Sequence, residues 1–231
     1  MSIVPSFEFA QVLPGRFNLP VRMTALPLGP GRVALVSPVP LTPDALAWVE
    51  GQGEVAYLIS PSLFHHLYLG DAAARFPSAQ VLAPRGLRAK RPDLRIDGDL
   101  EDGLPAELAA HVDVARVEGA PIADEHVFFH RASRSLVVTD LVFHVVRPRG
   151  LMTSLILRMV GCHGRLAHSR SWGLFIKDKA AASASIARIL AWPFEHLVPA
   201  HGEPVEGDAH ARLSAALAKR IAKGNKRLAV A

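Results

Sequence analysis

The chain has 231 residues, half of them hydrophobic and a fifth charged, which allows one large or two small globular domains with a full core and excludes extensive disorder. Its formal charge of +5 favours anionic partners without specifying a fold, and much of the excess lies towards the end, where Lys219, Arg220, Lys223, Lys226 and Arg227 meet no acid. The single cysteine, Cys162, excludes an intrachain disulfide and a multi-thiolate zinc cluster, and it fits a reducing compartment. Residues 1–10 lack a basic region followed by an apolar run, and no segment reaches the apolar length of a membrane span, so a soluble, cytoplasmic protein is expected.

In chain order, residues 7–12, 21–26 and 32–36 are short runs of β-branched or large apolar residues separated by Pro14-Gly15 and Gly29-Pro30-Gly31, which predicts a meander. Thr42-Pro43-Asp44 is a cap followed by proline in the first turn, and Ala45, Leu46, Trp48 and Val49 form an apolar helix face stopped by Gly51 and Gly53. A strand over residues 54–59 ends in Ser60-Pro61-Ser62, and His65-His66 follow in a stretch whose Leu63, Leu67 and Ala74 are spaced as on a helix. Another strand is expected at 80–83, then a basic, proline-punctuated segment over 84–94. Strands alternating with helices predict sheets covered by helices.

The second half repeats this pattern. Strands are expected at 112–117, 125–130 and 135–139, the last two joined by a hairpin at 131–134 and ending at Asp140. Residues 142–176 resist assignment and are read as partly helical. Asp178 caps a helix with Ile186, Ile189 and Leu190 on one face, and a strand at 196–198 leads into Pro199-Ala200-His201-Gly202. A basic helix closes the chain, with Leu213, Leu217 and Ile221 inward. No repeat and no linker divides the sequence, so residues 1–231 are read as one two-sheet domain.

Three strand ends thus deliver His65-His66, Asp140 and His201. Loops leaving strand ends are where ligands collect in α/β proteins. Imidazole nitrogens and one carboxylate suit zinc, iron or manganese, and such a metal could activate water for hydrolysis. Eleven histidines make chance groupings easy, however, and adjacent residues on a helix point about 100° apart, so both His65 and His66 reach one ion only from a turn. Elsewhere, Asp71 could orient His66 but reads more simply as a helix-surface carboxylate. His144 is a reserve ligand. His163, His168, Arg158, Arg165 and Arg170 read as a solvated basic segment, the alternative being a pocket for an anionic substrate. His126 and His130 read as sheet-face residues, and Cys162 as an inert thiol.

The order of elements, Val137-Val138-Thr139-Asp140 at a hairpin end, the His-bearing strand-to-helix loop and Pro199-Ala200-His201-Gly202 together resemble the metallo-β-lactamase superfamily over roughly residues 20–207. The resemblance implies an α/β fold, a four-layer αβ/βα sandwich of two mixed β-sheets flanked by helices. In that family a Thr-His-x-His-x-Asp-His loop, a later His, a bridging Asp and a final His hold two metals. Laid on this chain, the loop puts Ser60 at the Thr, Pro61 and Leu63 at the first two His, His65 at the Asp and His66 at the last His, and Ala120 takes the place of the later His. One set of donors is then lost. The set that remains, His65, His66, Asp140 and His201, implies a single transition metal ion, zinc before iron or manganese, or none. The reduced loop and Trp192-Pro193-Phe194 also resemble a poorly characterised branch of the superfamily.

The function so implied is a metal-dependent hydrolase with an at most mononuclear site, Asp140 and His66 catalytic, acting on a small molecule that may carry negative charge. The competing expectation is an inactive scaffold that binds an anionic ligand or partner. Nucleic acid is not expected, because no aromatic residues interleave the basic tail. The oligomeric state is left open by the sequence.

Overall fold

A computed structural model describes residues 2–225, with side chains described to residue 218. Alternating hydrophobicity becomes two sheets. The first is built from β1 (Ser6–Leu13), β2 (Phe17–Pro27), β3 (Arg32–Val36), β4 (Glu54–Ile59), β5 (Gln80–Ala83) and the two-residue β6 (Gly98–Asp99), in that spatial order. The β1–β2–β3 meander is antiparallel, whereas β3, β4, β5 and β6 run parallel. Parallel neighbours need crossovers, and helices α1 (Pro43–Glu50), α2 (Leu69–Arg75) and α3 (Gly86–Lys90) lie on those connections. Thr42 Oγ1 caps α1 by accepting from the Ala45 amide, as its sequence predicts.

The second sheet has the order β11-β10-β9-β8-β7. Its strands are β7 (Val112–Arg116), β8 (His126–His130), β9 (Ser135–Val138), β10 (His196–Pro199) and β11 (Val205–Glu206). Between the sheets comes α4 (Ala106–Ala109); α5 (Leu151–Val160), α6 (Arg170–Phe175) and α7 (Lys179–Leu190) separate β9 from β10, and α8 (Ala209–Asn225) follows β11. The β8–β9 hairpin pairs His130 with Ser135. Asp178 caps α7 through the amides of Ala180 and Ala181.

Side-chain alternation sorts the core into layers. Ala34, Val36, Ile59 and Leu82 of the first sheet meet Phe128, Val137 and Val198 of the second between the sheets. Val33, Leu35 and Leu58 face α1 to α3, while Val127, Phe129, Leu136 and Leu197 face α7 and α8. Helix, sheet, sheet, helix is the sandwich expected. Three details differ from the sequence reading. Residues 63–68 form turns and the helix starts only at Leu69; the basic stretch holds α3; and the two-residue strands β6 and β11 edge the sheets. Short edge strands carry too few residues for a periodic signal. Leu213 and Leu217 of α8 are buried as expected, and Ile221 and the cations beyond it lie outside the described side chains. Among the described residues no helix is long and apolar enough to cross a membrane.

Phe128 is wholly buried at the contact of the two sheets. Phe128→Ala is expected to destabilise the fold by about 3–5 kcal/mol, measured by denaturant unfolding, because the opposing strands cannot close the void.

Candidate metal centre

Register brings two of the candidate residues together. In the parallel pair β9–β10, Val138 lies opposite Pro199, so two residues further along each strand Asp140 and His201 emerge side by side. His65 arrives from the first sheet. Beyond β4 the chain turns, and Ser62 Oγ accepts from the amides of Phe64 and His65, both at 3.2 Å. Ser60 Oγ lies 3.0 Å from Ser62 O and 3.1 Å from His65 O, which closes the turn from beneath. Donor atoms of His65, Asp140 and His201 consequently all fall within 4.8 Å of one another.

Each imidazole is oriented from behind. His201 Nδ1 is 2.8 Å from Pro20 O; a carbonyl only accepts, so Nδ1 bears a hydrogen and Nε2 faces Asp140, donating to it when protonated and free to ligate an ion when not. His65 Nδ1 is 2.7 Å from Ser37 Oγ, at a residue whose φ of +55° puts a non-glycine side chain in the left-handed region. Phe143 stacks on the His201 ring at 4.6 Å between centroids. Gly202 follows with φ +99°, and a Cβ there would lie 2.2 Å from His144 O, so the backbone behind His201 admits glycine alone.

The donors fit an ion. His65 Nε2 is 3.4 Å from Asp140 Oδ2 and His201 Nε2 is 3.3 Å from Asp140 Oδ1, longer than good hydrogen bonds. The two imidazoles thus approach different oxygens of one carboxylate, a donor set of the kind that zinc takes. Asp140 Oδ2, though buried, accepts no hydrogen bond. Burial pushes the Asp140 carboxyl up, but the His65 and His201 rings outweigh it and hold it well below the usual carboxylate range. The group opens on a cavity of about 200 Å³ walled by Leu19, Val39, Phe64 and Tyr68, small and mostly apolar.

The structure does not bring His66 to this group. Its ring turns the other way, Nδ1 lying 3.1 Å from Arg91 Nη1. Burial, then the charges of Lys90 and Arg91, push its pKa down. His144, the reserve ligand, is engaged by Glu203 O and Arg212 Nη2. Asp71 is exposed on α2, and Cys162 is buried. His126 and His130 lie on β8, as read, and both are buried. The positions that the resemblance leaves without donors are packed: Ala120 belongs to the core of the second sheet, Pro61 O accepts from the His126 amide and the Leu63 amide donates to Ala123 O.

Sequence reasoning missed Ser37, Arg22 and Glu125. Nothing local marks the first two. Glu125 opens a predicted strand as an acid before His126-Val127-Phe128, and a charge at the start of a buried strand is the one signal available. Its side chain is completely buried; Oε1 accepts from the Thr139 amide at 2.7 Å and Oε2 has no hydrogen bond. Burial, and then the charge of Asp140, push its pKa up to about 7.

No family model matches the sequence, and no curated protein does. Solved structures do match. The chain is similar to a metallo-β-lactamase from Pontibacter korlensis at 15% identity and TM-score 0.63, over 93% of this chain and 93% of that one. It is similar to the metallo-β-lactamase FIM-1 from Pseudomonas aeruginosa in its mono-zinc form, at 16% identity and TM-score 0.59, over 95% and 91%. The Flv1 flavodiiron core from Synechocystis, in a metal-soaked structure, matches at 13% identity and TM-score 0.65, over 95% of this chain but 59% of that one. At these identities the likeness is one of fold, and the fold is the metallo-β-lactamase fold.

Two outcomes are expected. Glu125 keeps a proton in the folded state that the unfolded chain releases above about 4.5, so the stability it contributes relative to Glu125→Gln is complete below that pH and lost as pH rises through about 7. In chelator-treated protein the loss is on the order of 3 kcal/mol, read from urea unfolding of both proteins at pH 5 and pH 8. Ser37→Ala removes the partner of His65 Nδ1. If the group holds zinc, the change should weaken its affinity roughly 10–100-fold in a competition titration with a chromogenic chelator.

Proposed function

We propose that the chain is a mononuclear metal-dependent hydrolase of small molecules, with His65, Asp140 and His201 as the metal ligands. The observation that carries the reading is the convergence of three donors from two sheets, both imidazoles held through Nδ1 with Nε2 towards one buried carboxylate. Zinc is the first candidate, since two imidazole nitrogens and one carboxylate suit it and leave a position open. A solved structure of the same fold, FIM-1, is in a mono-zinc form.

Each residue has a separate task. Ser37 and Pro20 O keep the two rings in register. Asp140, ionised at any working pH, supplies the negative charge that balances a cation, and a carboxyl held so low is a ligand and a poor proton acceptor. The mostly apolar walls suit a small group with an apolar part. An ion bound here would supply Lewis acidity to polarise a scissile carbonyl or phosphoryl group. His66, turned towards Arg91, has no part as ligand or catalyst in this reading.

Elemental analysis after growth with zinc, manganese or anaerobic iron tests it. One ion per chain is expected in the parent and in His66→Ala, and none in His201→Ala. His65→Asp, which restores the carboxylate of the resembled family, should retain the ion. Two ions per chain would refute the single site. No ion under any supplement would favour the inactive scaffold. A panel of β-lactam, ester, thioester and phosphodiester substrates then tests hydrolysis, with His201→Ala expected to lose activity and metal together.

A further inference from the structure

A second cavity, about 820 Å³, shares no lining residue with the pocket over the His65, Asp140 and His201 group. The loop after α5, α6, the first turns of α7 and the outer side of α8 enclose it. Leu166, Ile176 and Ala216 give it an apolar floor, and Leu174 at its wall keeps 82% of its surface exposed. Arg165, Arg170, Lys179 and Arg212 also line it, and no carboxylate does. Sequence composition prepares this, because residues 141–177 contain six Lys and Arg and no acid.

Several basic side chains elsewhere are paired with carboxylates, as Arg188 of the same helix α7 is with Glu118 and Arg85 is with Asp99. Among the described residues none of the four cations of the cavity has a carboxylate partner, and three of them are held by hydrogen bonds. Arg170 Nη1 donates to Met159 O at 2.8 Å and Arg165 Nη2 to Gly161 O at 3.3 Å, which aims both guanidinium groups with the end carbonyls of α5 and leaves most of their N–H donors unspent. Arg212 Nη2 lies 2.9 Å from His144 Nε2. Four like charges around one concavity repel, and an anion among them relieves that repulsion. An apolar floor asks for an apolar body on the same molecule.

We propose that this cavity is a binding site for an amphipathic organic anion, a carboxylate head on an apolar chain. It is independent of any ion at the metal centre. Calorimetric titration of the full, chelator-treated chain with decanoate below its micellar concentration tests it, with 1-decanol, decyltrimethylammonium and acetate as comparators. Saturable binding of one decanoate is expected, weakening as salt is raised. Decanol and the cationic amphiphile should bind at least tenfold more weakly and acetate not measurably. Lys179→Glu with Arg165→Glu should cost at least tenfold in affinity, and Ala215→Trp, which fills the cavity from the exposed side of α8, should abolish binding. Thermal unfolding confirms that each variant folds, and if the charge reversal does not fold the tryptophan variant decides alone. Absence of saturable decanoate binding, equal uptake of the cationic amphiphile, or full affinity in a folded variant would overturn the proposal.

Discussion

A carboxylate leaves water only where opposite charge or a cation meets it, and Asp140 is the point at which this fold satisfies that condition. Its side chain keeps 15% of its exposure, and the two imidazoles within 3.4 Å are its compensation. The neighbourhood follows from that. Parallel pairing of β9 and β10 in one register sets Asp140 beside His201; the serine-clamped turn after β4 brings His65 across from the other sheet. Glu125 is wholly buried, and burial first and the charge of Asp140 second favour its protonated form.

The two sheets are also tied together at this edge by charge. Arg22 of β2 is buried and reaches Gly202 O through both Nε and Nη2, while Nη2 also meets Glu8 at 2.6 Å. A buried guanidinium with its donors satisfied is a rigid fork. Here it joins the strand that offers Pro20 O to the loop that carries His201, so the ring and its hydrogen-bond acceptor move as one unit. Strain at Ser37 and the close approach at Gly202 are local costs of the same arrangement.

What distinguishes this chain from a two-metal site of the same fold is packing. Where the resemblance calls for imidazoles it has Pro61, Leu63 and Ala120, on segments that hydrogen-bond to one another and feed the core. Apolar atoms there cannot hold a second ion. The pocket that remains is small and greasy, and the cationic character of the chain is concentrated in another cavity. Carboxylate and imidazole donors thus gather at one edge of the sandwich, and arginines line a separate cavity.

Local pattern carried much of this. Period-two hydrophobicity marked most strands, cap residues marked α1 and α7, and the placement of Asp140 and His201 after strand ends was readable because strands end where their apolar alternation stops. Residues 142–176 stayed ambiguous because α5 and α6 leave several large apolar side chains exposed, Leu151, Met159 and Leu174 among them, which blurs the periodicity. By itself the sequence determined the two sheets, the helices over them and three strand ends bearing metal-type donors. Only the tertiary structure decided that His65 and not His66 faces the centre, since ring direction is set by the turn and not by spacing. It also decided the roles of Ser37, Arg22 and Glu125, whose partners lie 28, 180 and 14 residues away, distances over which no local periodicity extends.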